Sequence, residues 1–143
     1  MTCRHVDARA RHLPFMAGME CYFGSFLKKN GEVDAHDRLV CFSIPDAGIV
    51  FKAPFSGGEL HTDYASLLTL LEFVELNGKL FEGKDLRIYG DNLDLVKEVN
   101  ETKPVKYEFS DLLRKALDYK KRYKFSLGWV PRDENPSIGG IFH

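Results

Sequence analysis

The sequence predicts one α/β domain built on a five-stranded mixed sheet with helices on its faces. Three observations carry this. The first third of the chain holds three short runs rich in aromatic and β-branched residues, separated by turn chemistry. The hydrophobic period then lengthens from two residues to about 3.6. Two further strand-like runs follow, each separated from the last by a helical stretch. An antiparallel meander followed by β–α–β crossovers gives a mixed sheet, and such crossovers are right-handed.

The elements follow in order. Residues 19–27, Met-Glu-Cys-Tyr-Phe-Gly-Ser-Phe-Leu, read as the first strand. Lys28-Lys29-Asn30-Gly31-Glu32 follows, and Asn-Gly supplies the positive φ angles of a tight hairpin. Arg38–Ile44 reads as the second strand, Pro45–Gly48 as a turn and Ile49–Phe55 as the third strand. Leu67, Leu70, Leu71 and Val74 then share one helix face, with Thr62 as N-cap and Gly78 just past the end, so a helix is expected over 62–77. Leu86–Gly90 is a short buried strand. Asp91 or Asn92 caps a helix over 93–99 that turns Leu93, Val96 and Val99 inward. Phe109, Leu112, Leu113, Ala116 and Leu117 make a second helical stripe. Phe125, Leu127 and Trp129 alternate in a last strand stopped by Pro131.

Composition narrows the function. Twenty Lys and Arg face 21 Asp and Glu, so bulk charge does not make this a nucleic-acid coat. Eleven Phe, six Tyr and one Trp supply a core. No apolar run approaches the roughly 18 residues of a membrane span. Cys3, Cys21 and Cys41 are odd in number and form no CxxC, which argues against a zinc site or disulfide framework and for reduced thiols in a cytoplasmic protein. Residues 1–18 read as a weakly structured arm, with Met16 or Met19 as a possible natural start. Their longest apolar stretch, Leu13–Ala17, is broken by Pro14 and is too short for a secretory signal. Residues 19–143 read as the domain.

Four segments resemble the ribonuclease H family. Ile88-Tyr89-Gly90-Asp91-Asn92 looks like its fourth strand, which ends in an aspartate followed by Ser or Asn. Trp129-Val130-Pro131-Arg132-Asp133-Glu134-Asn135 resembles the W-V-P-R-E-x-N pattern after its fifth strand. His61–Leu70 resembles the start of its first helix, and Phe23-Gly24-Ser25 the D-G-S of its first strand. The resemblance spans roughly residues 19–140 and implies the ribonuclease H fold. In that family four carboxylates hold two Mg²⁺ ions that cleave the RNA strand of an RNA/DNA hybrid. The carboxylates neutralise two mutually repelling cations that activate the attacking water and the leaving oxygen.

Carried over residue by residue, the resemblance leaves Asp91 as the only retained carboxylate. Phe23, Ser66 and Gly139 occupy the other three positions. Glu20 cannot replace the first ligand, because an odd offset along a strand points to the opposite face. Asp63 lies one turn before Ser66 on the same helix face. A rebuilt single-metal site would draw on Asp63, Asp91 and Asp133, and Mg²⁺ or Mn²⁺ is expected only in that case; otherwise no cofactor is expected. Asp91 has a second reading as the N-cap of the following helix, and this is the preferred one. Asn135-Pro136 reads as a helix or turn start, and His61 and His143 as surface histidines.

Arg114, Lys115, Lys120, Lys121, Arg122 and Lys124 crowd the end of the last long helix, opposed only by Asp118 and interleaved with Tyr119 and Tyr123. They read equally as a solvated face near a helix C-terminus or as a phosphate-tracking patch, to which Arg132 is added. The leading functional reading is a catalytically inactive ribonuclease H-like protein that binds an RNA/DNA hybrid or RNA. The alternatives are a divergent metal-dependent nuclease and a protein-interaction module whose partner is another chain.

Overall fold

The computed structural model describes residues 17–27 and 37–139. Strands β1 (Ala17–Leu27), β2 (Asp37–Ile44), β3 (Ile49–Ser56), β4 (Lys84–Gly90) and β5 (Ser126–Trp129) form one sheet in the order β3-β2-β1-β4-β5. The first three pair antiparallel, whereas β4 joins β1, and β5 joins β4, in parallel. This is the expected mixed sheet. The helices are α1 (Glu59–Leu76), α2 (Gly78–Phe81), α3 (Leu93–Glu101), α4 (Tyr107–Tyr123) and α5 (Pro136–Gly139).

Register partners across a sheet project to the same face. One such row is Phe51, Phe42, Phe23, Gly90 and Trp129. It lies on the face that also carries Cys21, Ile44, Ile88 and Leu127, which are buried with Leu67, Leu70 and Leu71 of α1. That burial is the main drive for the β1–α1 layer. The opposite face receives α5, whose Ile138 is buried.

Several local expectations are corrected. β1 starts at Ala17, so residues 17 and 18 belong to the sheet rather than to an arm. Residues 1–16, the Asn30-Gly31 turn and His143 lie outside the described residues. Helix α1 starts at Glu59, one turn before the expected cap. Gly58 takes the N-cap position, and the Thr62 hydroxyl donates to the Gly58 carbonyl at 2.7 Å from inside the helix. Gly78 opens α2 rather than closing α1. Leu93 is exposed, and Leu95 joins Val96 and Val99 in the core instead.

Candidate functional site

Four segments converge where β1 and β4 end: Phe23–Ser25, the first turns of α1, the Gly90–Asn92 junction and the stretch 129–137. Asp91 is central. Its side chain is only 6% exposed. Asn135 donates from Nδ2 to Asp91 Oδ2 at 3.0 Å and to the Phe23 carbonyl at 2.8 Å. Arg132 places Nη1 3.4 Å from the same carboxylate oxygen and donates from Nη2 to the Ser25 carbonyl at 2.9 Å. Trp129 donates its indole N–H to the Asp91 main-chain oxygen at 3.2 Å. Burial pushes the Asp91 carboxyl up, and the Asn135 hydrogen bond and Arg132 charge offset only part of this.

The expected cap at Asp91 is therefore corrected. Asn92 caps α3, accepting the Leu95 N–H on Oδ1 at 3.2 Å, while the Asp91 carboxylate is turned to Asn135 and Arg132. Asn135 does open α5 as expected, with Oδ1 accepting the Ser137 N–H at 3.0 Å.

Asp63 is 2% exposed and accepts the Asn92 Nδ2 donor at 2.7 Å. Burial is the largest influence on it and pushes its carboxyl up to about 6, against the hydrogen bonds from Asn92 and Ser25. The charge of Asp91 adds to the rise. The structure thus brings Asp63 and Asp91 to one locality. It does not bring Asp133, which is exposed in the 3-10 turn Arg132–Glu134.

The other expected ligand positions are taken up otherwise. Phe23 is 1% exposed and stacks over Gly90, where an added Cβ would lie 2.5 Å from the ring tip. The residue facing the Asp91 carboxylate from β1 is Gly24, whose Cβ direction meets Asn135 Nδ2 at 3.0 Å and Asp91 Oδ2 at 3.4 Å. The Ser66 hydroxyl lies 2.7 Å from the Gly24 carbonyl and 3.0 Å from the Thr62 carbonyl, and it accepts the Cys41 N–H at 3.2 Å. Gly139 is the last residue of α5.

These residues do not fit a pair of divalent cations. Asp63 and Asp91 each already accept an amide donor, and a guanidinium stands against Asp91, while Glu59 adds its charge from the rim. Among the described residues no three His, Cys, Asp or Glu side chains gather as a metal-binding group. A shallow hollow of about 400 Å³ beside Asp91 is lined by Glu59, Leu60, Asn92, Leu93 and Asp94.

The basic residues of α4 do not form one stripe. Arg114 pairs with Asp111 at 2.7 Å, and Arg122 pairs with Glu75 of α1 at 3.0 Å while lying over the Tyr119 ring. Lys120 donates to Asn100 Oδ1 at 2.8 Å. Lys115 lines a groove between α1 and α4 that also holds His61, Glu72 and Asp118. Lys121 and Lys124 have no ion-pair partner among the described residues. Arg132 belongs to the Asp91 site instead.

Sequence reasoning missed the hub role of Asn135 and the Asn92–Asp63 clamp. Each asparagine carried a local signal as a helix cap, but its second amide atom bonds a residue distant in sequence.

No protein-family model and no curated protein matches the chain. Solved structures do. The RNase H1 called LC11, isolated from compost by a metagenomic approach, superposes with a TM-score of 0.65 at 14% identity, covering 90% of this chain and 100% of that one. RNase H1 from the halophilic archaeon Halobacterium salinarum NRC-1 gives 0.61 at 19% identity, covering 87% and 94%. LC11-RNase H1 in complex with an RNA/DNA hybrid gives 0.65 at 15% identity, covering 87% and 99%. At such identities the likeness establishes the fold: this chain has the ribonuclease H fold.

Proposed function

We propose that the protein is a non-catalytic member of the ribonuclease H fold that binds nucleic acid, either RNA or an RNA/DNA hybrid. One observation carries the non-catalytic part. The single carboxylate retained at a ligand position, Asp91, is held by the Arg132 guanidinium and the Asn135 amide, which supply the positive charge and donors that a cation would otherwise provide. Metal-assisted hydrolysis needs ligand carboxylates that face the cation, and here the Asp91 carboxylate is already engaged by Arg132 and Asn135 and that of Asp63 by Asn92. Fold alone does not assign function, so the binding half rests on chemistry. Lys121 and Lys124 offer positive charge just before β5, Arg132 beyond it keeps N–H donors that the protein does not use, and LC11-RNase H1 binds an RNA/DNA hybrid on the same fold.

The test is anisotropy of a labelled RNA/DNA hybrid in EDTA at two salt concentrations, followed by a cleavage assay in Mn²⁺. The expected outcome is binding that weakens steeply with salt and no cleavage above a control without protein. Metal-dependent cleavage that disappears in Asp91→Asn would overturn the non-catalytic reading in favour of a rebuilt nuclease. Absence of binding at low salt would remove nucleic acid and turn the search to protein partners.

A further inference from the structure

We infer that Trp129 is a stacking platform for one unpaired nucleobase, with Arg132 beside it for the adjoining phosphate. The inference rests on the nucleic-acid reading above and names the part of the ligand this end of the sheet takes.

Trp129 ends the edge strand β5 and is 46% exposed. A lone exposed apolar side chain is ordinary. This one differs in how it is held. Its indole N–H is fixed on the main-chain oxygen of Asp91, and Arg132 reaches the carboxylate of the same residue. One anchor therefore sets the positions of an aromatic ring and a guanidinium three residues apart in sequence. The Gly90 side of the ring row is already closed, because the Phe23 ring fills the space where a Gly90 side chain would stand. Trp129 thus lies at the solvent end of the row, with its polar atom satisfied from within and its ring presented outward.

The ligand class follows from the chemistry of the pair. A base inside a duplex has both faces covered by its neighbours, so an indole can stack only on a base that is unpaired or at an end. Arg132 uses two of its five N–H donors on the protein, and its side chain is 45% exposed. The remaining donors suit a phosphate oxygen. Lys121 and Lys124, which have no ion-pair partner among the described residues, lie in the last turn of α4 and at its C-cap, just before β5. Strand β5 starts at Ser126, two residues past the left-handed cap Lys124, and rises about 10 Å to Trp129 at ~3.3 Å per residue. A single strand gripped at the lysines can run along β5 to the ring.

Trp129 is the only tryptophan in the chain, so its emission reports this site alone. The experiment titrates the full chain, in EDTA, with an unlabelled single-stranded RNA and with a blunt-ended RNA/DNA hybrid, following emission. Anisotropy of the labelled forms runs in parallel. The expected result is strong quenching by the single strand and weak quenching by the blunt hybrid. Trp129→Ala should weaken single-strand binding roughly tenfold and binding of the blunt hybrid, which offers a free base face only at its two ends, far less, while Trp129→Phe, which keeps a ring, retains most of the affinity. If anisotropy rises while emission and the Trp129→Ala affinity do not change, the stacking inference is wrong and the nucleic-acid reading stands. If neither signal changes at low salt, both fail together. Thermal unfolding of each variant confirms that the fold is kept.

Discussion

Burial holds the Asp63 carboxyl at about 6, against an ordinary value of 3.8. The folded state therefore binds this proton more tightly than the unfolded chain does. The contribution of Asp63 to stability is highest below the unfolded value, falls as pH rises through the window between about 4 and 6, and levels off above it. The charged form costs about 2–3 kcal/mol at neutral pH. Asp63→Asn keeps an acceptor for Asn92 and removes the charge. It should stabilise the protein by about 2 kcal/mol at pH 7, change it little at pH 4 and flatten the slope between them, read by urea unfolding across pH. An equal effect at both pH values would mean that the carboxylate ionises without cost. At Gly90 the constraint is steric. An added methyl meets the Phe23 ring at 2.5 Å, and the ring is enclosed. Gly90→Ala should cost about 1–3 kcal/mol, and Phe23→Leu in the same chain should recover part of it, a non-additivity that a double-mutant cycle measures. The sequence could place Phe23 at a ligand position but not say where its ring goes. That depends on Gly90, which is 67 positions away and becomes its neighbour only through strand pairing.

At the β4–α3 junction a single asparagine serves two elements. Asn92 caps α3 with its oxygen and donates to Asp63 of α1 with its nitrogen. Loss of a cap costs about 0.5–2 kcal/mol, and a buried acceptor left without its donor costs about 1–3 kcal/mol more. Asn92→Ala should therefore destabilise by about 2–4 kcal/mol, beyond the range of a simple cap, and the excess should shrink in an Asp63→Asn background. A cost confined to the capping range would mean that water replaces the amide at Asp63. The sequence showed that a cap lies at Asp91 or Asn92 but not which, since both residue types cap well. Long-range partners decide it, because Arg132 and Asn135 draw the Asp91 carboxylate away from the helix. The start of α1 was hidden for a related reason. Its N-cap is Gly58, which makes no side-chain capping bond, while Thr62 looks like a cap and sits one turn inside. Element existence and order were legible from hydrophobic period and turn residues, because both are local.

Across the whole molecule a net charge of −1 means that nucleic-acid affinity must come from particular cations rather than from a general field. The sequence displayed six basic residues along the end of α4 as though equivalent. The fold makes them unequal. Arg122 is matched by Glu75, 47 positions earlier on α1, and Arg114 by Asp111 one turn away. No local pattern announces the first pairing, because it needs α1 and α4 side by side. Among the described residues Lys115, Lys120, Lys121 and Lys124 have no ion-pair partner; Lys120 is held by the Asn100 amide and Lys115 lines the groove with Glu72 and Asp118, which leaves Lys121 and Lys124 as the cations a phosphate would meet most freely. Each phosphate neutralised on a duplex contributes about 0.9 to the slope of log affinity against log salt. Neutralising Lys121 and Lys124 together should thus lower that slope by about 1.8 for an RNA/DNA hybrid. Arg114→Gln should leave it nearly unchanged, since the released Asp111 carboxylate alters the field only locally and the guanidinium was already engaged. Titration of each variant at several salt concentrations gives the slopes directly. Equal losses for the lysine pair and for Arg114 would mean that ion pairing at this surface is too weak to rank the cations, and that the end of α4 acts as one diffuse patch.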